Sequence, residues 1–408
     1  MRDMEFWVLP NFGFDTAPTV KEQLTRFRRN NAGMRVTARV RTQRTMWERL
    51  LGILKNPAGR KIPDVVQIPS HWTSTLAHLG LLHDISDLDR DLDLRVFEKP
   101  LQENCRLTGG GRIYSVPWWT ELRVLYYRID ALKKIGQDPE VALANWDALR
   151  RTCRELSRHW KVAAGRFPMA NPNPRESVSM SDIAPCIWSR GGEFFSPDGS
   201  RSLFARSDAF GGIGEYFSLL NAGWMPLIGQ NGLPPGDLFS GHCALQFSGR
   251  FPMVPTRARA KSDLMNKLGA VPMPKGGGQS ASVLNCYNLA VLREGENPRQ
   301  AYSLVRELTR EGAATDYARA IGAFSPYTGA ISKCVSQVEG FQDVFSKALA
   351  GARTLPNLRM LGTVEKVFDR SMDRLVREVM TKTFNPRVLR SELIHSAAEI
   401  DYVLSLYD

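Results

Sequence analysis

The sequence has no run of about 18 apolar residues, so it offers no membrane-spanning helix. Its six cysteines, Cys105, Cys153, Cys186, Cys243, Cys286 and Cys334, include no C-x-x-C pair. That spacing excludes a zinc ribbon and a dithiol redox motif and reads as isolated, mostly buried thiols, although an even count leaves disulfides open in an oxidising compartment. Histidine is equally scarce, and His71, His78 and His83 lack the i, i+4 pairing or carboxylate company of a zinc site. Neither Gly109–Gly111 nor Gly276–Gly278 is followed by the Lys-Ser/Thr of a phosphate-binding loop, so both read as turns. There is no G-x-S-x-G elbow and no S-x-x-K, and no zinc finger, RNP-type motif or basic tail. No metal, cofactor or nucleic-acid partner is therefore expected. A secretory leader is absent too: Met1–Glu5 run straight into the strand-like Phe6–Leu9, as in a cytoplasmic chain or in one that begins after a removed export signal.

What is present is ordinary globular material in quantity. A chain of 408 residues with 43% hydrophobic content buries a large core and favours two or more domains. The net charge of +12 is mostly arginine and is scattered, as at Arg26, Arg28 and Arg29, Arg150 and Arg151, and Arg257 and Arg259. Scattered charge reads as solvated faces, compatible with an acidic ligand or an anionic surface but not with a nucleic-acid stripe.

The first 90 residues alternate in period. Phe6–Leu9, Val36–Val40 and Asp64–Ile68 read as strands; Val20, Leu24 and Phe27, then Trp47, Leu50, Leu51 and Leu54, then Leu76–Leu79 read as helices. This β-α-β-α-β-α order implies a parallel sheet with right-handed crossovers and ligand loops beyond the carboxyl ends of the strands, at Pro10–Asp15, Arg41–Thr45 and Pro69–Thr73. Helical patterns follow at Asp130–Ile135, Trp146–Trp160, Phe210–Leu220, Pro298–Arg310, Ala313–Ile321, Gln337–Leu349 and Arg387–Leu406. Loops rich in Pro and Asn, notably Phe167–Arg175, separate them, and Leu268–Val271 and Ser282–Leu292 read as extended.

Between the glycine turn at Gly109–Gly111 and Asp130, two apolar runs, Ile113–Val116 and Leu122–Tyr127, flank Pro117-Trp118-Trp119-Thr120. The tetrapeptide is expected as a loop at a crossing between two lobes. Adjacent Trp side chains in an extended segment point to opposite faces, so one can pack while the other serves as a stacking plate for a flat, weakly polar ligand such as a sugar ring.

Several short motifs recur in a telling order. Phe27–Val36 matches F-x-x-x-x-P-G-I-x-V, with Ala32 where proline is usual; Pro63-Asp64-Val65-Val66 precedes Ser70-His71-Trp72; Gly111–Pro117 matches G-K-x-Y-G-x-P. Leu125–Arg128 matches L-x-Y-N with Arg128 for asparagine, Asn145–Leu149 matches T-W-D-E-L, and Phe239–Leu245 matches F-x-x-G-K-A-A-M. Gly249-Arg250-Phe251 stands for G-x-W, Val271–Gly276 for x-P-x-P-K-G, and Gly322–Pro326 for G-x-x-P. Together these resemble the extracellular solute-binding proteins of ABC importers, in their maltose-binding-protein-like branch. The resemblance implies an α/β, two-lobed periplasmic-binding-protein-like fold (type II) with a ligand cleft between lobes that close on a hinge. It implies an N-terminal lobe of residues 1–117 and 274–326, a C-terminal lobe of 121–270 and 330–408, and crossings near 117–121, 271–275 and 326–330. It further implies a monomer that captures a mono- or oligosaccharide and delivers it to membrane permeases, exported to the periplasm or cell surface.

A sugar pocket needs aromatic faces for the ring and fixed polar groups for the hydroxyls. Loops at strand ends offer Asn11, Arg44, His71, Trp72, Trp118, Trp119, Glu121, Trp188, Arg190, Trp224, Arg250, Asn285, Tyr287 and Tyr327, of which Trp119 and Arg250 are best placed. Trp47 and Trp146 sit at helical spacing among apolar neighbours and read as core. A carbohydrate-active enzyme, with Glu121 and Glu193 as its carboxylates, and a cytoplasmic sugar sensor are the alternatives.

Overall fold

The computed structural model describes residues 2–11, 16–56, 62–159, 166–171, 178–227, 238, 241–250, 267–336 and 339–406. Asp15, Trp160, Arg175, Phe239, Phe251, Arg257 and Arg259, named above, lie outside the described residues.

Strands β1 (Arg2–Val8), β2 (Met34–Val40), β3 (Val65–Pro69) and β4 (Val116–Leu122) build a first sheet. Strands β5 (Val124–Arg128), β6 (Phe167–Ala170), β7 (Cys243–Ser248) and β8 (Leu268–Val271) build a second, after which β9 (Ser282–Val291) and β10 (Ala352–Arg353) return to the first. The helices are α1 (Thr16–Asn30), α2 (Gln43–Lys55), α3 (Thr73–His78), α4 (Lys99–Gln102), α5 (Ile129–Lys134), α6 (Pro139–Ala142), α7 (Trp146–His159) and α8 (Met180–Trp188). They continue with α9 (Ser207–Asn221), α10 (Pro298–Thr309), α11 (Glu311–Ile321), α12 (Ala330–Val335), α13 (Gln342–Ala350), α14 (Leu361–Met380) and α15 (Pro386–Ser405).

The first sheet runs β10-β9-β3-β1-β2, with β4 also paired to β9; the second runs β6-β7-β5-β8. β1 pairs in parallel with β2 and β3, as the alternating periods require. Successive β1 side chains face opposite ways. Met4, Phe6 and Val8 pack with α1, α10 and α11 on one face; Trp7 and Leu9 pack with Trp47 and Leu50 of α2 and Leu76 of α3 on the other. The second sheet is buried by α7, α8, α9, α14 and α15 in a separate core that includes Leu125, Leu149, Ile183, Phe217 and Phe368.

The tetrapeptide Pro117-Trp118-Trp119-Thr120 is not a loop. It lies inside β4, antiparallel to β9, with a register irregularity between Pro117 and Trp119. Proline has no N–H to give to a ladder, and an irregularity beside it lets the strand continue. The two Trp rings do face opposite ways: Trp118 stacks on Tyr317 and Trp119 on Tyr287, each at 4.0 Å between centroids. Because β4 holds its pairing to Leu122 and β5 takes up its own at Val124, the chain passes from the first sheet to the second at Arg123. A junction core beneath this passage gathers Leu122, Val124 and Tyr126 with Leu284, Phe324, Ile331 and Phe345, so α12 and α13 pack where the chain passes between the sheets.

Five helices, the short α4, α6 and α12 together with α8 and the 20-residue α14, form where no helix is expected above. In α14, Leu361, Val364, Phe368, Met372, Leu375 and Val379 recur at helical spacing and are all buried. Near it, α13 begins at Gln342, five residues later than expected from Gln337.

All six cysteines lie among the described residues, and no two are joined; all but Cys334 are buried. Burial pushes the Cys105 thiol up to about 12, far from the reactive thiolate range. In the native protein a thiol reagent should therefore reach Cys334 at most, with the remaining thiols released by guanidinium. More than one fast-reacting thiol before unfolding would contradict this placement.

Candidate functional site

Residues two apart on a strand share a face. Trp119 and Glu121 of β4 thus lie side by side, directly across from Tyr287 and Asn285 of β9. The Trp119 and Tyr287 rings stack, while Asn285 Nδ2 donates to Glu121 Oε1 at 2.8 Å. In both pairs the β4 member is buried and the β9 member is partly exposed. Tyr287 lies flat on Trp119, and the Asn285 amide is fixed through its Nδ2 by Glu121. Tyr287 also sits opposite Pro69, which brings the segment Ser70-His71-Trp72 to the edge of this ladder.

The second lobe meets the ladder from across the junction. Ser181 Oγ, at the start of α8, donates to Asn285 Oδ1 at 3.0 Å. Gly249 follows β7 so closely that a Cβ there would lie 2.7 Å from the Glu121 side chain. Burial pushes the Glu121 carboxyl up, against the pull of Arg123, Asn285 and Arg250. Beside it, Arg123 donates to Asp182 Oδ1 at 2.9 Å and to Ser181 O at 2.8 Å. Burial opposes the Arg123 charge, and Asp182 and then Glu121 more than offset that, raising its pKa.

A second polar cluster joins the β3–α3 segment to α14. Glu365 is buried, with His71 Nε2 at 3.0 Å from Oε1 and Trp72 Nε1 donating to Oε2 at 2.8 Å. Lys366 Nζ lies 3.5 Å from Glu365, 3.2 Å from Asp369, and 5.5 Å from the centre of the Trp72 ring. Burial pushes the Glu365 carboxyl up, but His71, Lys366 and the Trp72 N–H outweigh it and hold it at about 2. Asp369 goes the other way: burial and the neighbouring Glu365 charge push it up to about 7.

The other expected residues have their partners outside the ladder. Asn11 donates to Tyr317 OH at 2.5 Å and to Gln67 Oε1 at 3.3 Å, bracing the end of β1. Trp118 is wholly buried in the first-sheet core. Arg44, 89% exposed, pairs with Glu48 on the same helix. Trp188 is buried beneath the Arg353 guanidinium, and Arg190 pairs with Glu215 at 2.8 Å. Trp224 packs on the second-lobe core, and Tyr327 packs on Phe97 while its hydroxyl donates to Thr309 O at 2.9 Å. Glu365 escaped the sequence reading because its helix did; the i, i+3, i+4 apolar run around it was the available signal. Among the described residues no group of three or more His, Cys, Asp or Glu side chains is arranged to hold a metal ion.

Since the folded pKa of Glu365 is depressed, its contribution to stability is fully present above the unfolded value of about 4.3 and is lost as pH falls through about 2. Urea denaturation of wild type and Glu365→Gln should differ most at neutral pH and converge towards pH 2. A difference that persists undiminished at the acid end would contradict the ionised, bonded carboxylate.

The profile of the bacterial extracellular solute-binding proteins matches residues 22–340. A probable ABC transporter-binding protein of Deinococcus radiodurans is 25% identical over 265 residues, 61% of this chain and 60% of that protein, so the match spans less than two thirds of its length. An ABC transporter solute-binding protein of Thermotoga lettingae, bound with alpha-D-tagatose, superimposes with a TM-score of 0.80 at 17% identity, covering 99% of this chain and 100% of that one. An ABC substrate-binding protein of Listeria monocytogenes in complex with cycloalternan gives 0.81 at 14% identity over 99% of both chains. Maltose-bound MalE3 of T. maritima gives 0.78 at 18% identity, over 98% of this chain and 99% of that one. Such low identities establish a shared two-lobed fold, and it is the profile, running from α1 through the hinge to the junction helices, that makes this chain a member of the bacterial extracellular solute-binding protein family.

Proposed function

We propose that the chain is the solute-capturing component of an ABC importer and that its solute is a carbohydrate. The observation that carries this is the ladder on the first sheet: a partly exposed Tyr287 ring stacked on Trp119, beside an Asn285 amide fixed by Glu121 and bonded to Ser181 of the other lobe, with the Arg250 charge acting on Glu121. A ring face for the apolar side of a sugar and oriented amide, carboxylate and hydroxyl groups for its hydroxyls is the chemistry such a ligand requires. The solutes held by the structural neighbours, among them tagatose, maltose and cycloalternan, favour the same class, and the description of the Deinococcus protein as a probable ABC transporter-binding protein favours the importer role. Capture then proceeds by closure of the lobes about Arg123, and the loaded protein meets membrane permeases outside the cytoplasm as a monomer. No helix among the described residues is long and apolar enough to cross a membrane.

Binding suits the carboxylates better than catalysis. Glu193 is half in solvent and paired with Arg353 at 2.7 Å, whereas Glu121 is buried and bonded to Asn285, so the two do not form a facing acid and nucleophile.

A thermal-shift screen over a saccharide library should find a sugar that raises the melting temperature; a solute present at 100 times its dissociation constant adds about 2.7 kcal/mol. Tyr287→Phe, which keeps the stacked ring, should then retain most of the affinity, whereas Tyr287→Ala should weaken that sugar about tenfold, on the order of 1.4 kcal/mol, and also lower the melting temperature because it strips the ring from Trp119. Trp119→Ala should lower both affinity and melting temperature, because it removes the backing of the ring. Full affinity in Tyr287→Ala would sink the stacking role, and a screen answered only by amino acids or oligopeptides would sink the carbohydrate assignment.

A further inference from the structure

We infer that the α1–β2–α2 edge of the first sheet is a docking face for an anionic phospholipid surface. The inference goes beyond solute capture and concerns a part of the first sheet away from the ladder, because β1 and β3 stand between β2 and the β9 strand that carries Tyr287 and Asn285.

Basic residues recur along the whole chain, but their excess over acidic ones does not. Residues 16–56 hold ten Lys and Arg against two carboxylates, Glu22 and Glu48, so this one unit supplies +8 of the chain's +12. The fold gathers that run at one edge. β2 ends the strand order, and among the described residues it pairs with β1 alone. Leu24 and Phe27 anchor α1 on one face of the sheet, while Trp47 and Leu50 anchor α2 on the other, so the two helices flank the same strand.

Lys21, Arg28 and Arg29 of α1, Arg35 of β2, and Arg49 and Lys55 of α2 are exposed and make no ion pair among the described residues. The paired cations are poorly neutralised: Arg39 and Arg41 share the buried Glu5 at 3.9 and 4.0 Å, and Arg44 takes Glu48, the one carboxylate of α2. The crowding is felt at Arg41, whose pKa is lowered by burial, then by the Arg49 charge, with Arg39 adding to this against the pull of Glu5. Structural roles alone do not account for the excess. Charge of either sign guards a strand edge, and Arg28 and Arg29 suit the carbonyl end of α1, but neither role calls for Lys21 or Arg49.

The occupant follows from charge and breadth. α1 and α2, of 15 and 13 residues, are each about 20 Å long, and the cations are spread over both helices and the strand between them. A bilayer offers negative charge over such an area with no fixed positions to match, and each Lys or Arg near it adds its own attraction. Val40 and Leu54, 45% and 43% exposed, put large apolar side chains on the same unit, where contact at headgroup depth covers them. For a protein that hands its solute to permeases, this hold raises its concentration beside the membrane.

Co-sedimentation of the full chain with vesicles tests the face without any sugar. The protein should pellet with equal parts of phosphatidylcholine and phosphatidylglycerol at about 0.1 M salt, stay in solution with phosphatidylcholine alone, and be released at about 1 M salt, where screening shortens to about 3 Å. Arg28→Gln combined with Arg35→Gln should lower partitioning about 25-fold, at about fivefold per lost charge. Arg151→Gln combined with Arg154→Gln, exposed on α7 of the second lobe, removes the same charge and should leave partitioning unchanged. Circular dichroism checks that each variant folds, and Lys21→Gln with Lys55→Gln replaces the first pair if it does not. Wild type that ignores anionic vesicles, or an equal loss in the α7 pair, would overturn the docking face. Binding to soluble polyaspartate but not to vesicles would also overturn it and assign the edge to an acidic polypeptide. These outcomes stand whether or not the saccharide screen finds a sugar.

Discussion

Where the chain leaves the first sheet for the second, a buried guanidinium must bring its counter-charge with it. Arg123 N donates to Val283 O at 3.0 Å and Arg123 O accepts from Ser282 Oγ, so its backbone belongs to the first lobe. Its guanidinium is paired with Asp182 of the second. Breaking such a buried pair by removing one partner typically costs about 3–5 kcal/mol, because the charge left behind has no water to turn to. Asp182 serves twice: one oxygen holds Arg123, while the other accepts from Ser179 N and Oγ in the capping box that starts α8. The position of α8, and with it Ser181 opposite Asn285, thus follows from the neutralisation of one arginine.

From that point the site assembles with few independent choices. Ser181 orients Asn285, Asn285 holds Glu121, and Glu121 lies so near β7 that only glycine fits at 249. The aromatic step of the ladder is set two register positions further along the same two strands, on the same face. These polar groups are placed by hydrogen bonds that run from α8 to β9 and from β9 to β4, so the packing of the second sheet's helices and the geometry of the ladder depend on each other. The contact of α14 with His71, Trp72 and Thr75 joins the two cores at a second patch.

Much of the chain could be read from its order of residues. The first 90 residues announced their strands and helices through clean changes of period, and the parallel pairing followed from connectivity alone. The opposed faces of Trp118 and Trp119 were legible for the same reason, because side-chain alternation is a property of any extended backbone. Pro117-Trp118-Trp119-Thr120 was misread as a loop since proline and bulky aromatics say nothing of β9, a partner more than 160 residues away that supplies the ladder. The missed α14 is a different failure. Its apolar spacing was visible, but the charged residues that fill its other faces masked a helix whose burial comes from the second lobe.

The sequence by itself determined local periodicity, the order of elements, the absence of metal and phosphate motifs, and a set of aromatic and polar residues fit for a sugar. These depend on neighbours within a few positions. Only the tertiary structure decided which of those residues meet. It paired Glu121 with Asn285, set Tyr287 in front of Trp119, turned Arg44 and Tyr327 to other partners, and brought Glu365 to His71 and Trp72 across 293 and more positions of sequence. The reason is that strand register and lobe packing are long-range quantities, fixed by the mutual satisfaction of buried groups rather than by any residue's own preference.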